Sequence, residues 1–385
     1  MTNRHLPYGR QWLGDDDIEA VVRVLRSEYL TTGPLVGQFE RAFADFVGAT
    51  EAVAVSNGTA ALHAAVHAIG IGAGDEVIVP ALTFAASANC VVYEGGTPVF
   101  ADVDPDTLLV DPASVESRLS ARTKAIVAVD YAGQPCDYVK LRELAVAHGL
   151  VLIADACHAL GGDLSGVPVG TLADLSTFSF HPVKHITTGE GGMITTNDAE
   201  RARRMRIFRN HGITSDHRQR EAAGSWFYEM VDLGFNYRLT DLQCALGISQ
   251  LRKLEGWVAR RRQLARRYDA AFQGMPWLAP LAVRPAAGHA YHLYVVRLRL
   301  QRLRTDRADV FAALRAEGLG VNVHYIPVHL HPFYQKRFGT SPGQCPVAEA
   351  AYASILSLPM FPELNDADVD RVVDTVRRVL EARSA

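Results

Sequence analysis

Val151-Leu-Ile-Ala-Asp155-Ala-Cys-His158-Ala-Leu-Gly-Gly162 opens with four apolar residues and closes in a turn of small ones. So short a run, apolar on successive positions, reads as a strand of a parallel sheet covered on both faces. Asp155 then falls at the carboxyl end of that strand, where such sheets hold their ligands. An Asp in this place has a structural use as well, because it can cap the next helix.

Runs of the same kind recur at Ala52 to Val55, Glu76 to Pro80, Pro98 to Ala101, Lys124 to Val129, Leu175 to Phe180 and Gly192 to Thr195. Helix-like stretches separate them. Leu35, Phe39, Phe43 and Phe46 recur at helical spacing with Val36 and Val47, and Ala60 to Ile69 and Tyr138 to His148 read as helices. The alternation predicts an α/β fold around a central, mostly parallel sheet. After about residue 197 the pattern changes to two long helical stretches, Ala199 to Arg209 and Asp241 to Phe272. From near residue 280 a strand (His292 to Leu300), a helix (Arg307 to Glu317), a strand (Val321 to Ile326) and two terminal helices predict a small α+β unit. The expected organisation is a large domain over 1–255 and a small C-terminal domain over 256–385.

The 385 residues carry 39 Lys and Arg against 42 Asp and Glu, a net charge of -3, which gives no reason to expect nucleic acid or an anionic membrane as partner. The arginines of 201–209 and 260–267 read as solvated helix faces. Cys90, Cys136, Cys157, Cys244 and Cys345 are scattered and show no CxxC spacing, so neither a disulfide framework nor a metal site is expected. With a polar start, MTNRHLPYGRQWLGDDD, and no apolar run of membrane-spanning length, the expected location is the cytoplasm.

Three segments carry chemistry. In Phe178-Ser-Phe-His-Pro-Val-Lys184-His-Ile-Thr-Thr-Gly-Glu-Gly-Gly192 a lysine follows a strand and leads into a glycine-rich turn, with Ser179, His181, Thr187, Thr188 and Glu190 around it. Lysine in a loop is usually solvated; one held among apolar and cationic neighbours loses proton affinity, as a Schiff-base lysine must. If that lysine holds a pyridine-type cofactor as its Schiff base, Asp155 is placed to pair with the protonated pyridine nitrogen and so keep the ring an electron sink. His158, a turn further on, reads either as a ligand to that ring's hydroxyl or as a core histidine. Finally, Ser56-Asn-Gly58-Thr59 joins a strand to a helix, and free N–H groups at a helix start suit a phosphate. It lacks the lysine of a P-loop and the GxGxxG of a dinucleotide site.

Taken together, PYGRQWLGDDD, YLTTGPLVGQFE, SNGTAAL, LTFAASAN, DACHALGG, SFHPVKHITTGEGG, GFNYRLTDLQ and VHYIPVHLHPFY resemble the DegT/DnrJ/EryC1/StrS aminotransferases over nearly the whole chain. The resemblance implies the fold type I architecture of aspartate aminotransferase and the cofactor pyridoxal 5'-phosphate (PLP), with Lys184 as the catalytic residue. It implies that Gly58, Thr59 and Ser179 meet the phosphate, that Phe84 stacks on the ring, and that Asp155 and His158 meet its polar edge. Asn236 would reach the phosphate from the partner subunit of a homodimer with shared active sites. Tyr8, Arg238 and His329 would line the substrate side. Family members that remove a hydroxyl instead carry His at the lysine position, so Lys184 favours transamination.

The implied reaction moves an amino group from L-glutamate to a keto-sugar nucleotide, with Lys184 as acid and base. SFHPVKHITTGEGG most resembles the pseudaminic-acid pathway aminotransferases that act at C4 of UDP-4-keto-6-deoxy-N-acetyl-L-altrosamine. Another keto-sugar nucleotide or a keto-cyclitol is the alternative acceptor, and a PLP-binding regulator without turnover is the alternative of a different class.

Overall fold

Seven of the apolar runs pair into one sheet. A computed structural model describes residues 5–385, and in it the first half of the chain holds β1 (Glu51–Val55), β2 (Glu76–Pro80), β3 (Thr97–Ala101), β4 (Thr123–Val129) and β5 (Val151–Asp155). After the short β6 (Asp163–Leu164) and β7 (Val167–Pro168) come β8 (Leu175–Ser179) and β9 (Gly192–Thr196). The sheet order is β1-β9-β8-β5-β4-β2-β3. Only β9 runs against the rest, antiparallel to both β1 and β8. The expected α/β sheet is therefore present, parallel in all but one strand. Helices cover it: Phe39 and Phe43 of Pro34–Val47 pack on Phe178 and Phe180, and Gly58–Ala68 is buried along most of its length.

β1, β5 and β8 end on the same edge. Their carboxyl ends deliver Ser56-Asn57-Gly58, Asp155 and Ser179 side by side, and the β8-to-β9 return carries Lys184. The site is a product of sheet direction before it is a product of side chains.

The second core lies around β10 (Leu278–Pro280), β12 (Tyr294–Leu298) and β13 (Ile355–Leu358), paired antiparallel in the order β10-β12-β13, while β11 (Ala287–Gly288) joins β6. Three expectations need correction here. Val321 to Ile326 is not a strand: only Asn322 bridges to Ser357, and the segment turns its residues toward the site instead. The third strand is Ile355–Leu358, hidden within what read as terminal helices, between Pro346–Ser354 and Asp366–Glu381. The long helix is likewise two, Asp241–Leu251 and Leu254–Phe272, broken where the Lys253 ammonium reaches back to Asp16 (2.6 Å) and Asp17 (2.8 Å).

The arginine-rich faces are only partly solvated. Arg261 is fully buried, its Nη1 donating to the carbonyls of Tyr291 (3.1 Å), His292 (3.4 Å) and Met360 (3.0 Å). Arg209 is tied to Glu40 and to the Ala54 carbonyl.

Candidate active site

At the β5 terminus Asp155 is buried, and its carboxylate is oriented by neighbours. Ser87 Oγ donates to Oδ2 at 2.6 Å, the Thr83 hydroxyl lies 2.7 Å from Ser87, and the Cys157 amide donates to Oδ1 at 3.3 Å. One hydroxyl and one amide bond to the carboxylate, and Thr83 holds that hydroxyl in turn, so the direction of the group into the cleft is fixed. Thr83 and Ser87 were not singled out in the sequence; small polar residues in the apolar stretch LTFAASAN were the available signal.

Lys184 lies across the same cavity, half-buried, and burial pushes its ammonium below the usual lysine range, with Cys157 and Asp155 opposing the shift. Four imidazoles stand behind it. Burial drives His158, His185 and His292 well below the ordinary histidine range and His324 down to about 3. These rings are neutral at physiological pH, so they crowd Lys184 without adding like charge beside it.

Gly58 opens the helix Gly58–Ala68, with Asn57 capping it by accepting from the Ala60 amide at 2.8 Å. A Cβ at position 58 would lie 2.9 Å from Ser179 Cβ, too close for any side chain. The first amides of a helix lack intrahelical acceptors. Those of Gly58 and Thr59 therefore present a dipole-assisted anion seat, with the Ser179 hydroxyl across from it. Phe84 is exposed at the rim, its ring 5.9 Å from that of Tyr325, and the Tyr325 hydroxyl lies 3.1 Å from His158 Nε2. His158 Nδ1 is buried without a partner. The Asn322 to Tyr325 stretch, expected as a strand, lines the cavity.

The cavity measures about 980 Å³ and brings together Tyr8, Gly58, Thr59, Phe84, Asp155, His158, Ser179 and Lys184. Three expected residues stand outside it. His329 sits in the short turn Val328–Leu330 with its ring aimed inward, fully buried, beside Phe100 and 2.8 Å from Glu349; that packing takes it off the substrate side. Arg238 donates to Asn210 at 2.9 Å and faces a neighbouring cleft with Arg206, Arg209 and Asp216. Asn236 is exposed, bridging to Asn210. No cluster of metal-ligating side chains occurs among the described residues.

These features fit PLP. A phosphate seat, a flat aromatic, an oriented carboxylate, an unpartnered buried imidazole nitrogen and an amine of lowered proton affinity meet the five functional parts of that molecule.

Comparison with known proteins agrees. The family model for the DegT/DnrJ/EryC1/StrS aminotransferase family matches residues 11–377. The spore coat polysaccharide biosynthesis protein SpsC of Bacillus subtilis is 42% identical over 381 residues, 98% of each chain. Among solved structures, the putative sugar aminotransferase Spr1654 of Streptococcus pneumoniae in its PMP form superposes with a TM-score of 0.92 at 32% identity, covering 98% of this chain and 99% of that one. Helicobacter pylori PseC, an aminotransferase involved in the biosynthesis of pseudoaminic acid, gives a TM-score of 0.92 at 33% identity, covering 98% and 100%. Sequence, fold and site converge: the chain belongs to the DegT/DnrJ/EryC1/StrS aminotransferase family, which is PLP-dependent.

Proposed function

We propose that the chain is a sugar aminotransferase that moves the amino group of L-glutamate to a keto-sugar nucleotide, at C4 of UDP-4-keto-6-deoxy-N-acetyl-L-altrosamine. The observation that carries this reading is that Lys184 and Asp155 open onto a single cavity of about 980 Å³. Ligand pockets usually span roughly 300–1,000 Å³, so this one accommodates the cofactor and a nucleotide-sized substrate together. Relatives in polysaccharide and pseudoaminic acid biosynthesis support the choice of acceptor.

In this reading Gly58, Thr59 and Ser179 hold the phosphate, Phe84 covers the ring, His158 meets the ring hydroxyl, and Asp155 keeps the ring nitrogen protonated. Bound there, PLP supplies the electron sink that makes a substrate C–H bond acidic. Lys184 Nζ, more often neutral because burial lowers its proton affinity, binds the cofactor and then carries the proton from one substrate carbon to its new site. Tyr8 faces the substrate half. The enzyme works as a cytoplasmic homodimer, with Asn236 and Arg238 serving the neighbouring site; their absence from the cavity of a single chain supports that arrangement.

Incubating the enzyme with PLP, L-glutamate and a panel of keto-sugar nucleotides tests the acceptor. Amination of a UDP-4-keto sugar in preference to free keto sugars and keto-cyclitols is the expected result. Turnover confined to non-nucleotide acceptors would reject it.

A further inference from the structure

Behind the cavity wall five side chains form one hydrogen-bonded line that the site described above does not use. Asp232 Oδ2 lies 2.9 Å from His67 Nε2, and His67 Nδ1 lies 3.1 Å from Glu94 Oε2. Glu94 Oε1 is 2.8 Å from His63 Nε2, and His63 Nδ1 is 3.1 Å from the Tyr237 hydroxyl. His63, Tyr93, Phe235 and Tyr237 face the cavity, while Asp232 lies at the surface.

Donor and acceptor rules give this line a direction. Ionised carboxylates only accept, so a His67 held between two of them carries a proton on each nitrogen. The electrostatics agree: burial opposes charging of His67, but the Glu94 and Asp232 hydrogen bonds outweigh it and raise its pKa. Burial likewise works against Glu94, yet the His63 and His67 hydrogen bonds pull it down to about 2. Because the Glu94 carboxylate can only accept, His63 donates to it from Nε2, which turns Nδ1 toward the Tyr237 hydroxyl as the accepting end of the line. Among the described residues the donor facing Nδ1 is the Tyr237 hydroxyl. Tyr237 is held in place besides: its ring stacks on Phe235 at 5.0 Å, and its backbone bonds to Arg209 and Ser56.

We propose that Asp232, His67, Glu94 and His63 commit the Tyr237 proton away from the cavity, making Tyr237 a specificity-determining acceptor for a hydroxyl or amide N–H of the bound substrate. The inference rests on the sugar-nucleotide reading, since a pyranose carries several such donors where a simple keto acid has none. His67 and Glu94 touch no substrate and act as positioning residues through Tyr237.

Two measurements test it. The first is ¹⁵N NMR of the histidine rings in the holoenzyme near pH 7.5. His67 protonated on both nitrogens and His63 on Nε2 alone is the expected result. A proton on His63 Nδ1 reverses the line and overturns the inference, whatever the substrate is. The second is the Kd of UDP-N-acetylglucosamine, used as a stable probe, for wild type, Tyr237→Phe, His67→Gln and the double variant. Tyr237→Phe keeps the ring and its stack, and it is expected to weaken the probe about tenfold, as loss of one ligand hydrogen bond does. His67→Gln should weaken it less, and the double variant should match Tyr237→Phe alone. Effects that simply multiply would mean that His67 is structural only, and the positioning claim would fail. Wild type that ignores the probe would sink the substrate reading, and the NMR result then decides the inference alone.

Discussion

Lys184 and Asp155 divide the chemistry of the site, and their replacement should separate the two roles. Lys184→Ala is expected to abolish transamination and the absorbance band of the lysine-bound cofactor, since among the described residues no other amine lines the cavity. Wild-type turnover in that variant would refute the assignment. Asp155→Asn should retain the cofactor but slow proton transfer by orders of magnitude, because an amide cannot keep the ring nitrogen charged. Single-turnover rates with L-glutamate measure this, and a near-normal rate would reduce Asp155 to a structural role. The buried histidines make a separate prediction. His158, His185 and His292 lie well below the ordinary range, and His289 and His324 at about 3, all through burial first. The unfolded chain binds protons at these positions below about pH 6.5, while the fold does not. Their contribution is thus complete above pH 6.5 and lost as pH falls toward about 3, each ring costing up to about 1.4 kcal/mol per pH unit. Asp130, raised to about 7 by burial, and Asp269, also raised by burial, work the other way but are two groups against five. Melting temperature should fall steadily from pH 6.5 to pH 5; a flat profile would contradict the neutral cluster. Asp155 was legible in the sequence because it ends an apolar strand, and Lys184 because it sits in the polar, glycine-rich return after one, while the role of Ser179 was legible only through the family resemblance. Tyr325, Ser87 and Tyr237 were not, because side chains brought in from a loop, a helix and a distant segment leave no local pattern.

Among the elements, the start of the helix Pro34–Val47 depends on a residue 206 positions away. Asp241, buried, accepts from the Gly33 amide at 2.6 Å and the Leu35 amide at 2.9 Å. A Cβ on Gly33 would come within 2.5 Å of that carboxylate, so the close approach requires glycine. Asp241→Ala strands two amides and should destabilise the protein by about 2–3 kcal/mol in urea unfolding. A change under about 0.5 kcal/mol would mean that water replaces the carboxylate at no cost. Strand positions in the sheet were readable because both faces are buried, giving continuous apolar runs. Val321 to Ile326 misled for a physical reason: its alternation suits a strand, but its polar members face a ligand cavity rather than solvent. Ile355–Leu358 follows a helix without a break in apolarity, so no turn signal announced it.

For the whole molecule, the segment from Trp226 to Phe235 is the outstanding surface, with Trp226, Phe227, Tyr228, Met230, Val231 and Leu233 all exposed. An apolar stretch of this size beside Asn236 suits a self-complementary contact between two copies. Mixing inactive Lys184→Ala chains with chains carrying an inactivating acidic replacement of Asn236 should restore activity. Random pairing gives about a quarter of sites both native residues. No recovery would show that each chain builds its own site.

The helix Leu254–Phe272 has a consequence for anyone who would divide this protein. Leu254 and Val258 belong to the core of the sheet, whereas Leu264, Ala265, Tyr268 and Phe272 belong to the second core. Leu6, at the opposite end of the chain, is packed in the second core too and bridges to Leu319. A gene split after codon 255 would sever the shared helix in its first turn and strand Leu6 on the wrong fragment. The halves of this enzyme are not modules that could be shuffled between relatives; a chimera would have to exchange the helix and the first residues together.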